Sequence, residues 1–207
     1  MPTALIIGDS HVDHSPMAAE LKRLLEADGF TVTVGGVGGS TAKQWLTTNP
    51  VCRPKNDWCV DANTLPQRPD LLLVSLGSND IANMALNKQR PEPIVADVVK
   101  LIARFAPKTS MWIGPPWFRD YGWYKNQYSK QLYDAARAAD VPIFDSWSPT
   151  RAAVDAGSGD GVHLGAEGSK VWAAAVVKAA KKSFPWLALV AIAGAAAVAA
   201  VVISRRR

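Results

Sequence analysis

Cysteine is scarce in this chain, with only Cys52 and Cys59 among 207 residues. Two thiols exclude a disulfide scaffold, and without a C-x-x-C pair or a neighbouring histidine they do not make a zinc site. They leave open a single loop-clamping bridge around Arg53-Pro54-Lys55-Asn56-Asp57-Trp58. Histidine is almost as rare: His11, His14 and His163 are all there are. Any chemistry that needs an imidazole base therefore has three candidates.

A charged surface of one sign is also missing. The formal net charge is +5, but Arg205, Arg206 and Arg207 supply three of those charges, and residues 1–204 set 20 Lys/Arg against 18 Asp/Glu. A body so close to neutral does not suggest a nucleic-acid surface. No secretory signal opens the chain, since Met1 to Gly8 reads as a short strand without a basic leader or cleavage pattern. No internal repeat and no second soluble domain stand out.

Long apolar runs are absent from the body and reserved for the end. Residues 183–207 form the one exception: Ser183 to Ser204 carries no charge, and the three arginines follow. Eighteen helical residues from Trp186 reach roughly 27 Å, just short of the roughly 30 Å of a bilayer's hydrocarbon. The tail is expected to be a hydrophobic helix that anchors the protein to a lipid bilayer, with self-association through its small residues as the rival reading. Lys178, Lys181 and Lys182 at the near end balance the far arginines, so the side faced by the body is not specified.

Within residues 1–182, strand-like and helix-like stretches alternate. Apolar runs at Thr3–Ile7, Phe30–Val34, Leu71–Leu76, Ser110–Ile113 and Pro142–Phe144 read as strands. Helices are expected at Pro16–Asp28, where Ser15 can cap and Gly29 can stop, and at Glu92–Phe105, Tyr124–Ala139 and Ala166–Lys182. A short helix is expected from about Thr41. This order predicts an α/β fold, a central parallel sheet between two helical layers. Ligands then gather beyond the carboxyl ends of the strands.

The conspicuous polar motifs lie at those ends. Gly8-Asp9-Ser10 ends the first strand, and a serine there can present its hydroxyl at the sheet edge. Asp-Ser after a strand is also an ordinary helix cap, and Asp9 reads as a brace for the turn. Gly35-Gly36-Val37-Gly38-Gly39 follows the second strand. It reads as a permissive turn in which Gly39 can bring a backbone N–H close to a ligand. It lacks the spacing and the Lys-Ser/Thr ending of a phosphate loop. Gly77-Ser78-Asn79-Asp80 follows the third strand, where the Asn79 amide can donate to a developing oxyanion or simply bond a turn. Asp160 and His163 share a loop before the last helix. A serine hydroxyl is a poor nucleophile until an imidazole takes its proton and a carboxylate orients that imidazole. His11 and His14 are expected on the pocket rim or the surface.

Taken together, the four blocks resemble the SGNH/GDSL hydrolase family over roughly residues 3–182. The resemblance implies a three-layer, flavodoxin-like hydrolase fold without a cofactor or metal. It implies Ser10 as nucleophile, His163 as base, Asp160 as orienting acid, and an oxyanion hole from Ser10, Gly39 and Asn79. The implied activity is hydrolysis of a small acyl ester, such as an O-acetyl group on a glycan. The alternative is an assembly component that keeps the fold and packs through its tail. His11 departs from the family's usual fourth residue, leucine, and so puts the acyl pocket in question. Trp112, Trp117, Trp123, Tyr121 and Tyr124 cluster around Pro115-Pro116, where they could line such a pocket or serve as packing.

Overall fold

The computed structural model describes residues 1–55, 57–119, 122–155 and 159–184. The central sheet has five strands: β1 (Thr3–Gly8), β2 (Thr31–Gly36), β5 (Leu71–Ser75), β6 (Thr109–Ile113) and β7 (Ile143–Phe144). They run in the order β2-β1-β5-β6-β7, and every pair is parallel. A two-stranded antiparallel hairpin, β3 (Val51–Cys52) and β4 (Cys59–Val60), stands apart. Cys52 and Cys59 are joined as a disulfide, which resolves the alternative left open above.

The central strands are apolar at nearly every position because both faces of the sheet are covered. Leu5, Ile7, Leu72, Val74 and Trp112 point to one side. They pack there against α3 (Ser78–Asn87), α4 (Pro91–Phe105), α5 (Asn126–Ala138) and the 3-10 turn at Ala42–Leu46. Ala4, Ile6, Leu71, Leu73, Met111 and Ile113 point to the other. That side is covered by α2 (Pro16–Ala27), α6 (Trp147–Asp155) and α7 (Ala166–Ser183). The period of two along each strand thus divides the core into two slabs.

Local signals set the helix ends. The Ser15 hydroxyl accepts from Met17 N–H at 3.3 Å, and Pro16 opens α2. Gly29 follows α2 with φ 88°, a left-handed turn that glycine adopts without steric cost. Three short helices fall where the sequence read only as turn or loop: α1 (Ser10–Asp13), α3 and α6.

The membrane anchor needs correction. Among the described residues no helix is long and apolar enough to cross a membrane. The last one, α7, carries Glu167, Lys170, Lys178, Lys181 and Lys182 on its outer side. Its other side buries Trp172, Ala173 and Val176 against the sheet. The hydrophobic helix placed on residues 183–207 lies outside the described residues but for Ser183 and Phe184, which end α7. Bilayer partnership, tail-mediated self-association and membrane localisation all rested on that segment, and none is retained.

Candidate active site

The Gly8-Asp9-Ser10 block is shaped by close approach. A Cβ on Gly8 would lie 2.4 Å from both Ser75 O and Val12 Cγ2. Only glycine therefore lets β1 end against β5 and turn at once into α1. Asp9 caps that helix: its Oδ1 accepts from His11 N–H at 3.0 Å. Ser10, the first helical residue, is left at the carboxyl edge of the sheet.

The partner residues come from the other end of the chain. Ser10 Oγ lies 2.8 Å from His163 Nε2. His163 Nδ1 lies 2.9 Å from Asp160 Oδ2. The other carboxylate oxygen, Oδ1, accepts from the N–H groups of Val162 at 2.8 Å and His163 at 2.6 Å. Burial opposes ionisation of Asp160, but hydrogen bonds from the His163 ring and from these two backbone groups outweigh it and hold the carboxyl down at about 2. Asp160 is thus a carboxylate throughout the neutral range.

Asn79 stands at the second turn of the site, one residue into α3. Its Nδ2 donates to Ser40 O at 3.0 Å, and its Oδ1 accepts from Tyr124 O–H at 3.2 Å. These bonds fix the orientation of the amide and leave its second N–H uncommitted. Gly39, with φ 82°, lies in the turn after β2. Ser10, Gly39, Asn79 and His163 line one cleft of about 380 Å³, together with His14, Gly38, Tyr124 and the hairpin residues Arg53, Pro54, Lys55 and Asp57. A larger hollow of about 650 Å³ lies at the opposite edge of the sheet, around Ala106, Pro107 and Ser110. Its one titratable side chain is Lys108, so size alone does not mark the site. No cluster of His, Cys, Asp or Glu suited to a metal occurs among the described residues.

His14 lies on the rim as expected, but His11 does not. It is 1% exposed, packed between the His163 ring at 5.2 Å and the Trp172 ring at 5.3 Å. Burial, with the nearby His163 adding to it, pushes its pKa down to about 3, so it is neutral. The residue that stands where the resemblance expects leucine is thus buried beside the His163 ring.

The aromatic cluster divides as well. Trp112 is fully buried and donates to Leu76 O at 2.7 Å. Trp117 packs edge-on against Trp147, with Arg151 over its ring. Trp123 is exposed, and Tyr121 lies outside the described residues. Of the four that are described, only Tyr124 lines the cleft. The sequence reading missed the hairpin wall entirely. Its signal was the Cys52–Cys59 pair, which places Arg53 to Trp58 in one closed loop.

Residues 6–171 match the profile of the GDSL-like Lipase/Acylhydrolase family. Comparison with curated proteins finds no match. Among solved structures, the chain is similar to a protein designated an arylesterase from Agrobacterium tumefaciens str. C58, at 20% identity and TM-score 0.63, covering 88% of this chain and 99% of that one. A carbohydrate acetylesterase family member from Sinorhizobium meliloti is similar at 21% identity and TM-score 0.59, with 88% and 98% covered. A member of the lipolytic G-D-S-L family from Veillonella parvula DSM 2008 follows at 15% identity and TM-score 0.58, with 86% and 97% covered. At these identities the structures speak to the fold alone.

Proposed function

The chain belongs to the GDSL-like Lipase/Acylhydrolase family and is an ester hydrolase of the serine type; on that premise we propose that Ser10, His163 and Asp160 form its catalytic triad. The observation that carries this reading is the continuous line of contacts, 2.8 Å from Ser10 Oγ to His163 Nε2 and 2.9 Å from His163 Nδ1 to Asp160 Oδ2. His163 takes the Ser10 proton as Oγ attacks the ester carbonyl, and Asp160 orients the imidazole and stabilises the imidazolium. The Ser10 and Gly39 N–H groups and the free Asn79 N–H hold the tetrahedral oxyanion. His163 returns its proton to the leaving alkoxide. A water, deprotonated by the same ring, then releases the acid from Ser10.

The substrate we propose is a short acyl ester, and within that class an O-acetyl group on a glycan. The cleft supports the short acyl chain: it is small, and His14, Arg53, Lys55 and Asp57 are among the residues that line it. A glycan carrier is in keeping with the similarity to the Sinorhizobium meliloti carbohydrate acetylesterase family member. We assign the hydrolase unit to residues 1–182, which hold the five strands of the sheet, the site and the covering helices up to the last residue of α7.

The test is turnover of p-nitrophenyl acetate against the palmitate ester, and release of acetate from acetylated xylan, with Ser10→Ala as control. The acetate ester should be turned over and Ser10→Ala should be inactive. Equal rates for the two proteins would end the triad reading. Preference for palmitate would end the short-acyl reading alone.

A further inference from the structure

Three residues after Ser10, the same short helix ends in Asp13, whose carboxylate is directed at the glycine turn beyond β2. Asp13 Oδ2 accepts from Gly38 N–H at 2.7 Å. Arg53 grips the same carboxylate with two prongs: Nε to Oδ2 and Nη2 to Oδ1, each at 2.6 Å. Charge-assisted, paired bonds of this kind are strong and geometrically specific. The Asp13 side chain is 6% exposed and that of Arg53 27%, so the pair is largely withdrawn from water and its screening.

Arg53 is itself held. It follows Cys52, which is tied to Cys59, and its guanidinium lies 5.9 Å from the Trp58 ring. Trp58 Nε1 donates to Gly36 O at 2.9 Å. The segment Gly36–Gly38 is therefore gripped by α1 on one side and by the hairpin on the other. Close approach explains its glycines. A Cβ on Gly36 would lie 2.6 Å from Asp13 N, and one on Gly38 would lie 2.5 Å from His14 Nε2.

We propose that Asp13, locked by Arg53, is the positioning residue of the oxyanion hole. By fixing the Gly38 N–H it sets the next peptide, so that the Gly39 N–H is presented to the cleft beside Ser10. The proposal rests on the reading of Ser10 as nucleophile and Gly39 as donor. A turn with glycines at 38 and 39 has wide conformational freedom. Oxyanion stabilisation depends on donors already in place when charge develops. Asp13 supplies that restraint from the element that carries the nucleophile, so attacking oxygen and oxyanion donor share one rigid mount.

The experiment compares Asp13→Ala and Asp13→Asn with the unaltered full chain. It measures kcat and KM on p-nitrophenyl acetate and the inhibition constant of an aryl trifluoromethyl ketone. In that adduct Ser10 Oγ bonds to the ketone carbon, its proton passes to His163, and the carbonyl oxygen becomes the oxyanion. Loosening one donor should take part of the roughly 10²–10³-fold that losing one removes, so Asp13→Ala should lower kcat about 10- to 100-fold with KM changed less than about threefold. The ketone's inhibition constant should rise by the factor by which kcat/KM falls. Asp13→Asn, which keeps an acceptor for Gly38 but loses the ion pair, should lose less.

Unchanged kcat and inhibition constant in Asp13→Ala would overturn the proposal. So would a fall in kcat with the inhibition constant unmoved, because a merely structural role would not weaken the tetrahedral adduct selectively. If Asp13→Ala does not fold, Arg53→Gln leaves Asp13 in place but unlocked, and the same pair of readings decides. An active Ser10→Ala would instead sink the nucleophile reading. Inactive Ser10→Ala beside fully active Asp13→Ala sinks only the positioning role.

Discussion

The two halves of the site are built on different foundations. Ser10, Gly39 and Asn79 stand just beyond the ends of β1, β2 and β5, adjacent strands in register at Gly8, Gly36 and Ser75. The sheet brings their backbones to one edge. Asp160 and His163 stand on a loop that folds on itself: Asp160 N–H donates to His163 O at 3.2 Å while Asp160 Oδ1 accepts from Val162 and His163. Gly159 and Gly161 in this loop have φ of 76° and 95°. A Cβ on Gly159 would sit 1.7 Å from His163 O. One half stands on long-range strand pairing, with Asp13 and Arg53 bracing the Gly38 turn; the other is held by a few local bonds around one carboxylate. The carboxylate of the loop half therefore has both a structural and an electrostatic role, and its removal should be felt more widely than that of any donor in the strand half.

Asp160→Ala tests that asymmetry with the largest expected effect. It strips the orienting charge from His163 and the acceptor from two backbone N–H groups, and by comparison with other triads kcat should fall about 10³–10⁴-fold. Asp160→Asn sharpens the comparison, because it can still accept the backbone bonds but does not support the imidazolium. A loss in Asn as large as in Ala would assign the effect to the charge; a much smaller one would assign it to the loop's shape. If Asp160→Ala keeps more than about a tenth of the rate, where other triads lose orders of magnitude, the loop half does not orient the base.

Asn79→Ala probes the strand half and should cost less. Deletion of one oxyanion donor lowers kcat about 10²–10³-fold, with KM little moved. The proposed backbone donors at Ser10 and Gly39 remain, and α3 is held by Ile81 and Met84 in the core. Secondary structure by circular dichroism should be unchanged. A loss exceeding that of Asp160→Ala would reverse the ranking of the two halves.

The same division governs what could be read from the sequence. The apolar runs of β1, β5 and β6 and the stop signals around α2 specify a parallel sheet with little ambiguity, because burial on both faces leaves a continuous imprint. Ser10, Gly39 and Asn79 were legible as residues a few positions beyond β1, β2 and β5, but their roles in the site came from the resemblance. The Asp160–His163 loop was legible only as a spacing of residue types that resembled a family. α1 and α3 were hidden because their first turns double as the site and carry polar residues. Asp13 and Arg53 were invisible for a different reason: their pairing spans 40 positions and no periodic pattern records it. His11 was misplaced because a histidine beside a strand-end serine looks solvent-facing by composition, whereas the tight turn at Asp9 turns it inward against Trp172.

Carboxyl titration separates the halves most finely, with the smallest expected effect. Asp9 and Asp80 lie beneath Ser10 and beside Asn79, 0% and 5% exposed, and burial pushes each up to about 7; the Asp80 charge adds to the effect on Asp9. Asp160 in the loop goes the other way, to about 2. For an acid raised in the folded protein, the native state keeps a proton that the unfolded chain releases above its ordinary value of about 3.9. The stability that Asp9 and Asp80 confer is therefore complete below about pH 4 and lost as pH rises towards 7. Asp160 has the opposite sign, its contribution being present above about pH 4 and lost as pH falls towards 2, and it is weakened because that side chain is largely exposed. Asp80→Asn can still accept the Ala42 N–H, which Asp80 Oδ2 takes at 3.3 Å, and it carries no charge to bury. Urea unfolding at pH 4, 5.5, 7 and 8 should show a shallower decline in stability between pH 4 and 7 for Asp80→Asn than for the unaltered chain, with the difference between the two growing as pH rises. Each pKa unit of native-state shift is worth about 1.36 kcal/mol, so even a fraction of the expected displacement is measurable. Parallel pH profiles for the two proteins would mean that Asp80 titrates as a solvated carboxyl, and that the strand half of the site holds no buried proton at that position.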